Sequence, residues 1–371
     1  MNALVVSPLT RILPHHPSRP LYHSLLGVRQ AQPGLSEREW AALLEVSEAE
    51  LQVARIGHEA VYPLQDRFSL LYSLSLLGEV ELEMMNGLGV AHWKGRFNAP
   101  DLYLDQPQQL GLRFQVGQHQ LIVHLEHWYW ACAVEEPRMM SNGLVHLKRS
   151  LCFYDRQGRL FFRIQAGAQT DLTAWQSVQE SFATQELAAR PLFVRNERTS
   201  IDFPSDAAQL EKEWRLMQTV DDLPYLLQRH DTSLFAALLS LSPKLARPVG
   251  LQALEQLLSR LAQWPRLSGR MPRLAVSLMT PGLEQHFQGA PLAPCPVKDQ
   301  LCIAWEQGGC LHLDRLAMEY AFIVRQPCDG QWISHLQLFD AEGQPLGRIS
   351  CAREPGQAED LAYRHLLNSL Q

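Results

Sequence analysis

The residues best suited to chemistry are imidazoles set beside aromatic and cationic side chains. Fourteen histidines are spread along the chain, and a neutral imidazole is the commonest protein ligand for a transition metal. The segment GVAHWKGRF (89–97) places His92 next to Trp93, Lys94 and Arg96 on a short strand and turn. Such a grouping suits a flat, anionic, metal-bearing macrocycle: the ring needs aromatic walls, the metal an axial donor, the carboxylates a cation. An edge strand of mixed polarity would carry the same residues. In GLRFQV (111–116) Arg113 stands among apolar neighbours, where it either pairs with a carboxylate or points into a cavity. His119, His124 and His127 fall on one strand pair, and His15, His16 and His23 stand in a lead rich in proline and histidine. There is no HExxH, GxSxG, strand-borne GxGxxG or Walker loop, so hydrolase, dehydrogenase and nucleotide-triphosphatase chemistry has no local support.

The elements that must position these residues come in a pattern that occurs twice. LSEREWAALLEVSEAELQVARIG (35–57) carries two serines, Ser36 and Ser47, each followed three residues later by glutamate, which predicts two short capped helices. RFSLLYSLSLLGEV (67–80) predicts another, stopped at Gly78. From residue 80 to 165, apolar and polar positions alternate between short glycine-bearing gaps, the signature of antiparallel strands without intervening helices. DLTAWQSVQESFATQEL (171–187) returns to helical spacing. After the proline- and charge-rich stretch 191–206, helices, strands and a closing helix follow in the same order. LCFYDRQGRLFFRIQ (151–165) aligns with LQLFDAEGQPLGRIS (336–350), matching Asp155 to Asp340; VHLEHW aligns with LHLDRL, matching His124 to His312; VAHWKG aligns weakly with LEQHFQG, matching His92 to His286. One large unit present twice is a domain duplication, not a solenoid. The expected organisation is a loosely ordered lead (1–34), an N-terminal repeat (35–190), a linker (191–206) and a C-terminal repeat (207–371).

Composition sets the remaining bounds. A chain of 371 residues, 46% hydrophobic and 19% charged, is globular and large enough for about two domains. A net charge of −6 offers no basic field for nucleic acid. No run of apolar residues is long enough to span a bilayer, and the N-terminus lacks the layout of a secretory signal. Seven cysteines, odd in number and without a CxxC pair, support neither a disulfide framework nor a zinc site. A cytoplasmic protein with reduced thiols is expected.

The order of these segments resembles a known family, the HmuS/HemS-type haem-degrading and haem-trafficking factors of bacterial haem uptake. SEAELQVARIG, LSLLGEV, GVAHWKGRF, LGLRFQV, HWYWACAVEE, FYDRQGRLFFRI, TDLTAW, LEKEWRLMQTVDDLPYLLQRH, AFIVRQP and LQLFDAEGQPLGRI carry the resemblance over roughly residues 37–371. It implies an α+β fold built as a tandem structural duplication, each half a large antiparallel β-sheet flanked by helices. It also implies haem as ligand, handed to a haem oxygenase or another uptake component, or degraded by oxygenase-like chemistry with an external reductant. A homodimer fits this reading; a nucleic-acid or membrane partner does not. The position matching the family's axial histidine is Asp221, followed by Asp222. The distal arginine matches Arg113, the family's Arg-Lys-Pro reads Arg325-Gln326-Pro327, and a later arginine matches Arg353. With aspartate at the usual ligand position, His92, His286 and His230 are the candidate axial ligands, with Arg113, Arg325, Arg353 and Asp221 around the pocket. A diverged interaction or delivery protein with weak or no haem binding is the alternative.

Overall fold

A computed structural model describes residues 19–370 except 107–108, 118, 140–142, 144, 185–190, 195–201, 269–272, 290–294, 298–299, 306–307 and 315–316. His15, His16 and residues 195–201 of the expected linker therefore lie outside the described residues. The helix signals fold as their caps predict. Ser36 caps α2 (Glu37–Leu43) and Ser47 caps α3 (Glu48–Arg55), both in capping boxes closed by Glu39 and Glu50. Ahead of them, α1 (Arg19–Ala31) occupies part of the stretch read as a loose lead, because Leu25 is fully buried against Ala41 and Leu51. The next helix, α4 (Arg67–Ser73), tightens into a 3-10 turn over Leu74–Leu77 and ends at Gly78, whose φ of 74° terminates it.

The strands run in chain order as β1 (Val61–Pro63), β2 (Gly78–Met85), β3 (Gly89–Arg96), β4 (Asp101–Gln106), β5 (Gln109–Val116) and β6 (His119–His124). β7 (Trp130–Met139), β8 (Val145–Tyr154) and β9 (Leu160–Thr170) follow, then α5 (Leu172–Phe182), α6 (Ala207–Trp214), α7 (Asp222–Arg229) and α8 (Leu234–Ser240). The second set is β10 (Ala246–Val249), α9 (Ala253–Ser268), β11 (Leu274–Thr280), β12 (Leu283–Gly289), β13 (Cys295–Val297), β14 (Gln300–Ala304) and β15 (Cys310–Asp314). β16 (Tyr320–Cys328), β17 (Gln331–Phe339), β18 (Pro345–Cys351) and α10 (Leu361–Asn368) complete the chain. Among the described residues the strands form two nine-stranded sheets, ordered β1-β7-β8-β9-β2-β3-β15-β14-β13 and β10-β16-β17-β18-β11-β12-β6-β5-β4. The α+β duplication is thus present, and the two orders are the same once each strand is replaced by its repeat equivalent. Each sheet takes six strands from one repeat and three from the other.

This exchange means that the compact units do not follow the repeats. One unit comprises residues 1–82 and 125–197, the other 83–124 and 198–371. In the first, Trp128 packs against Phe153 and Phe161 on the β8–β9 hairpin, with ring centroids 4.7 and 5.1 Å away. Arg55, 1% exposed, reaches Glu37, Glu59 and Glu136 at 2.9, 2.7 and 2.5 Å. Burial opposes its charge, and the three carboxylates more than restore it. In the second unit, Leu210, Trp214, Leu226, Phe235, Phe322 and Phe339 form a core beneath α6–α8. The two repeat-equivalent junctions, β3 with β15 and β12 with β6, both lie in this unit. Gly89 is required at the first of them: a Cβ there would stand 1.9 Å from the His312 carbonyl oxygen. The aspartate–glycine hairpins also match. Asp155 Oδ1 accepts from the Gln157 and Arg159 amides, and Asp340 Oδ1 from those of Glu342 and Gln344, with Gly158 and Gly343 at φ 77° and 74°.

Candidate functional site

A cavity of about 290 Å³ lies in the second unit over the β12-β11-β18-β17 part of its sheet. Antiparallel register explains its floor. Gln288, Ala275, Ser350 and His335 stand opposite one another across these four strands. Because side chains alternate between faces with period two, Ser277 and Arg348, two residues along, share that face. Val220, just before α7, closes one side, and the loop after β18, with Arg353 and Glu354, closes another.

His335 is 3% exposed and its Nδ1 has no hydrogen-bond partner among the described residues. Burial, and then the positive charge of Arg348, push its pKa well below the usual histidine value, so the imidazole is neutral. Arg348 is half-buried, with no hydrogen bond or ion pair among the described residues. Two of the three carboxylates lining the cavity, those of Glu359 and Asp329, are already committed. Glu359, 4% exposed, accepts from the Ser334 amide (2.6 Å) and hydroxyl (3.0 Å) and pairs with Arg364. Asp329 pairs with Arg353 at 3.0 Å, in a turn where Asp329 and Gly330 both have positive φ. The second Arg353 nitrogen donates to the Gln357 carbonyl, so this guanidinium pins the loop.

The residues singled out from sequence are dispersed. Arg353 lines the cavity, and Asp221 directly follows the lining residue Val220. Asp221 is the N-cap of α7 without a side-chain cap bond; Asp222 instead accepts from the Gln218 and Thr219 amides. Arg113 is on β5, opposite Ile122, which is in turn opposite Glu284 on β12. It shares the cavity's sheet face two strands, about 10 Å, beyond β12, and does not line the cavity. Arg325 lies 5.5 Å from the Trp332 ring, also outside the lining. His286 has both nitrogens engaged, Nδ1 with Ser277 Oγ at 2.7 Å and Nε2 with Glu284 at 3.5 Å. Glu284 also reaches His124, at 3.7 Å. Burial raises the Glu284 pKa, and the hydrogen bonds and charges of the two histidines outweigh it, holding the carboxyl well below the usual range. His230 caps the C-terminus of α7, 3.5 Å from Glu213. His92 belongs to the other sheet, 41% exposed and 3.4 Å from Glu83, its ring 5.8 Å from that of His312. Cys310 and Cys302 Sγ lie 3.5 and 3.9 Å from His312 Nε2. Among the described residues, no group of three or more His, Cys, Asp and Glu is arranged to hold a metal ion, and no helix is long and apolar enough to cross a membrane.

Sequence reasoning missed His335, Arg348 and Glu359. His335 and Arg348 sit on strands whose alternation marks them as polar positions, and nothing local says that the polar face is covered.

Comparison with known proteins bears out the resemblance over about nineteen-twentieths of the chain. The hemin transport protein HmuS of Yersinia pestis is 27% identical over 355 residues, 94% of this chain and 97% of that protein. The hemin transport protein HemS of Yersinia enterocolitica is 28% identical over 357 residues, 94% of this chain and 96% of that protein. The structure of the heme degrading enzyme ChuS of Escherichia coli O157:H7 superimposes with a TM-score of 0.81 at 26% identity, covering 95% of this chain and 99% of that one. No protein-family model matches the chain.

Proposed function

We propose that this protein binds haem in the cavity of its second unit and serves haem utilisation, carrying haem or presenting it for degradation. The observation that carries the reading is end-to-end similarity to two hemin transport proteins and a heme degrading enzyme, together with a cavity whose donors suit the ligand. A buried neutral imidazole with an unpaired nitrogen, an arginine with no hydrogen bond or ion pair among the described residues and only the longer-range field of Glu284, and two lining carboxylates already paired with Arg353 and Arg364 fit an anionic metalloporphyrin. Arg348 would take a propionate, with Arg353 holding the loop that faces it. At about 290 Å³ the cavity is at the small end for a ligand site, so a macrocycle would extend beyond it along the sheet face. Bound haem would supply a redox-active iron; the chain's part is to orient it, balance its carboxylates and limit access of water.

The cytoplasm is the proposed compartment. Seven cysteines, odd in number and without a CxxC pair, fit a reducing compartment. Titration with haemin, followed at the Soret band, tests the binding reading. Saturable change at a fixed stoichiometry is expected; a spectrum identical to haemin in buffer at all protein concentrations would end it.

A second reading, a delivery protein that holds haem weakly and passes it to a haem oxygenase or another uptake component, is favoured by Asp221, Asp222 and Glu354 near the cavity, whose charge opposes tight retention of propionates. It predicts rapid haem transfer to a purified haem oxygenase, and fails if haem dissociates more slowly than it would in passive exchange.

A further inference from the structure

We propose that His335, on β17, is the axial ligand of the haem iron. This rests on the reading of the cavity as a haem site. An axial donor must be a neutral imidazole with a free nitrogen, facing the ligand space. His335 offers a ring that lines the cavity, is 3% exposed, and has an Nδ1, itself buried, without a hydrogen-bond partner among the described residues. Leaving a buried polar nitrogen unpaired is costly, and coordination to a metal removes that cost. Its environment favours the ligating state. Arg348 is its diagonal neighbour on the same face, from the adjacent strand β18, and its charge disfavours protonation of the imidazole. The same guanidinium would balance a propionate or the ligand's net charge.

The other histidines lack one requirement or another. His286 has both nitrogens occupied by Ser277 and Glu284. His92 and His312 lie on the other sheet, beside Glu83 and two cysteines. His230 sits at the far end of α7 beside Glu213. His119 is the useful contrast. It too is buried, with an unpaired Nδ1 and a pKa pushed down to about 4 by burial. Its register position next to Phe287 puts it on the opposite face, among Trp93 and Phe287, and it does not line the cavity. Among the described residues, buried imidazole nitrogens without a hydrogen-bond partner belong to His119, His230 and His335, and of these three residues His335 lines the cavity.

The test uses the full chain and three probes: haemin, metal-free protoporphyrin IX and free imidazole. In wild type, haemin should bind with a Soret band of a histidine-ligated haem. His335→Ala and His335→Gln should each weaken haemin binding about tenfold or more and shift the band. Protoporphyrin IX, which keeps the ring and propionates but has no iron, should bind wild type and both variants alike. Added imidazole should restore the wild-type band to His335→Ala. Unchanged haemin affinity and spectrum in both variants would overturn the assignment and leave the haem reading intact. Equal loss of haemin and protoporphyrin IX would also overturn it, since the residue would then shape the cavity and not ligate. Failure of wild type itself to bind haemin would overturn the haem reading and the assignment with it.

Discussion

Removing the Glu359 carboxylate should loosen the wall of the cavity by a calculable amount. Glu359 precedes α10 and is 4% exposed, yet it supplies the acceptor for the Ser334 amide at 2.6 Å and for the Ser334 hydroxyl at 3.0 Å. Ser334 faces Arg325 in the β16–β17 ladder, but that pair does not exchange bonds: the Arg325 amide donates to the Leu245 carbonyl, and the Arg325 carbonyl accepts from Trp214 Nε1. Glu359→Ala therefore leaves the Ser334 amide orphaned in a buried place, at a cost of about 1–3 kcal/mol. The ion pair to Arg364 adds little, because that guanidinium is 29% exposed and screened. Since the chain forms two compact units, a global melting temperature would blur the effect. Amide hydrogen exchange reads it locally: 1–3 kcal/mol corresponds to about 5- to 150-fold faster exchange at Ser334. Glu359→Gln keeps an acceptor oxygen and should fall between wild type and Ala. Ser334 exchange within twofold of wild type in Glu359→Ala would refute the reasoning, because another acceptor would then have to satisfy the amide.

Two further outcomes follow from the same geometry. Gly89→Ala drives a Cβ to 1.9 Å from the His312 carbonyl oxygen, a backbone clash no rotamer relieves; exchange of the β15 amides should rise on a scale of about 1–3 kcal/mol, while β17 amides stay protected. Glu284 has its pKa depressed by His124 and His286 despite burial, so its contribution to stability is present above the unfolded carboxylate pKa of about 4.3 and is lost as pH falls toward the lower folded value. Urea unfolding of wild type should weaken with acid over that window, and Glu284→Gln should remove that part of the slope; an unchanged acid profile would count against the His124–Glu284–His286 arrangement.

Much of the fold is legible in the sequence because its signals are local. A serine followed three residues later by glutamate closes a capping box whatever lies around it, and both boxes, at Ser36 and Ser47, form. The DRQG and DAEG turns fold alike because the aspartate accepts from amides two and four residues on while the glycine takes positive φ. Repeat alignment through His124/His312 and even the weak His92/His286 match lands on strands in equivalent places in the two sheet orders, and Asp155/Asp340 lands in the equivalent hairpin turns.

What the residues alone could not decide is which strands meet and what each face looks onto. Alternation marks a strand's two faces but carries no address for its neighbour, so the exchange that joins β15 to β3 and β6 to β12 is a tertiary outcome, recorded locally only as the need for glycine at Gly89. The same limit governs the chemistry. His92, His230 and His286 were prominent because their segments stood out, yet tertiary contacts engage them with Glu83, Glu213, Glu284 and Ser277. His335 lies in an unremarked strand, ISHLQLFD, and only the covering of its face by Val220 and the loop after β18 turns it into a buried imidazole at a cavity. Sequence by itself determined the duplicated α+β architecture and the haem-protein resemblance, because short-range geometry and segment order suffice for those. The tertiary structure decided which imidazole keeps a free nitrogen, because that depends on partners brought together from distant parts of the chain.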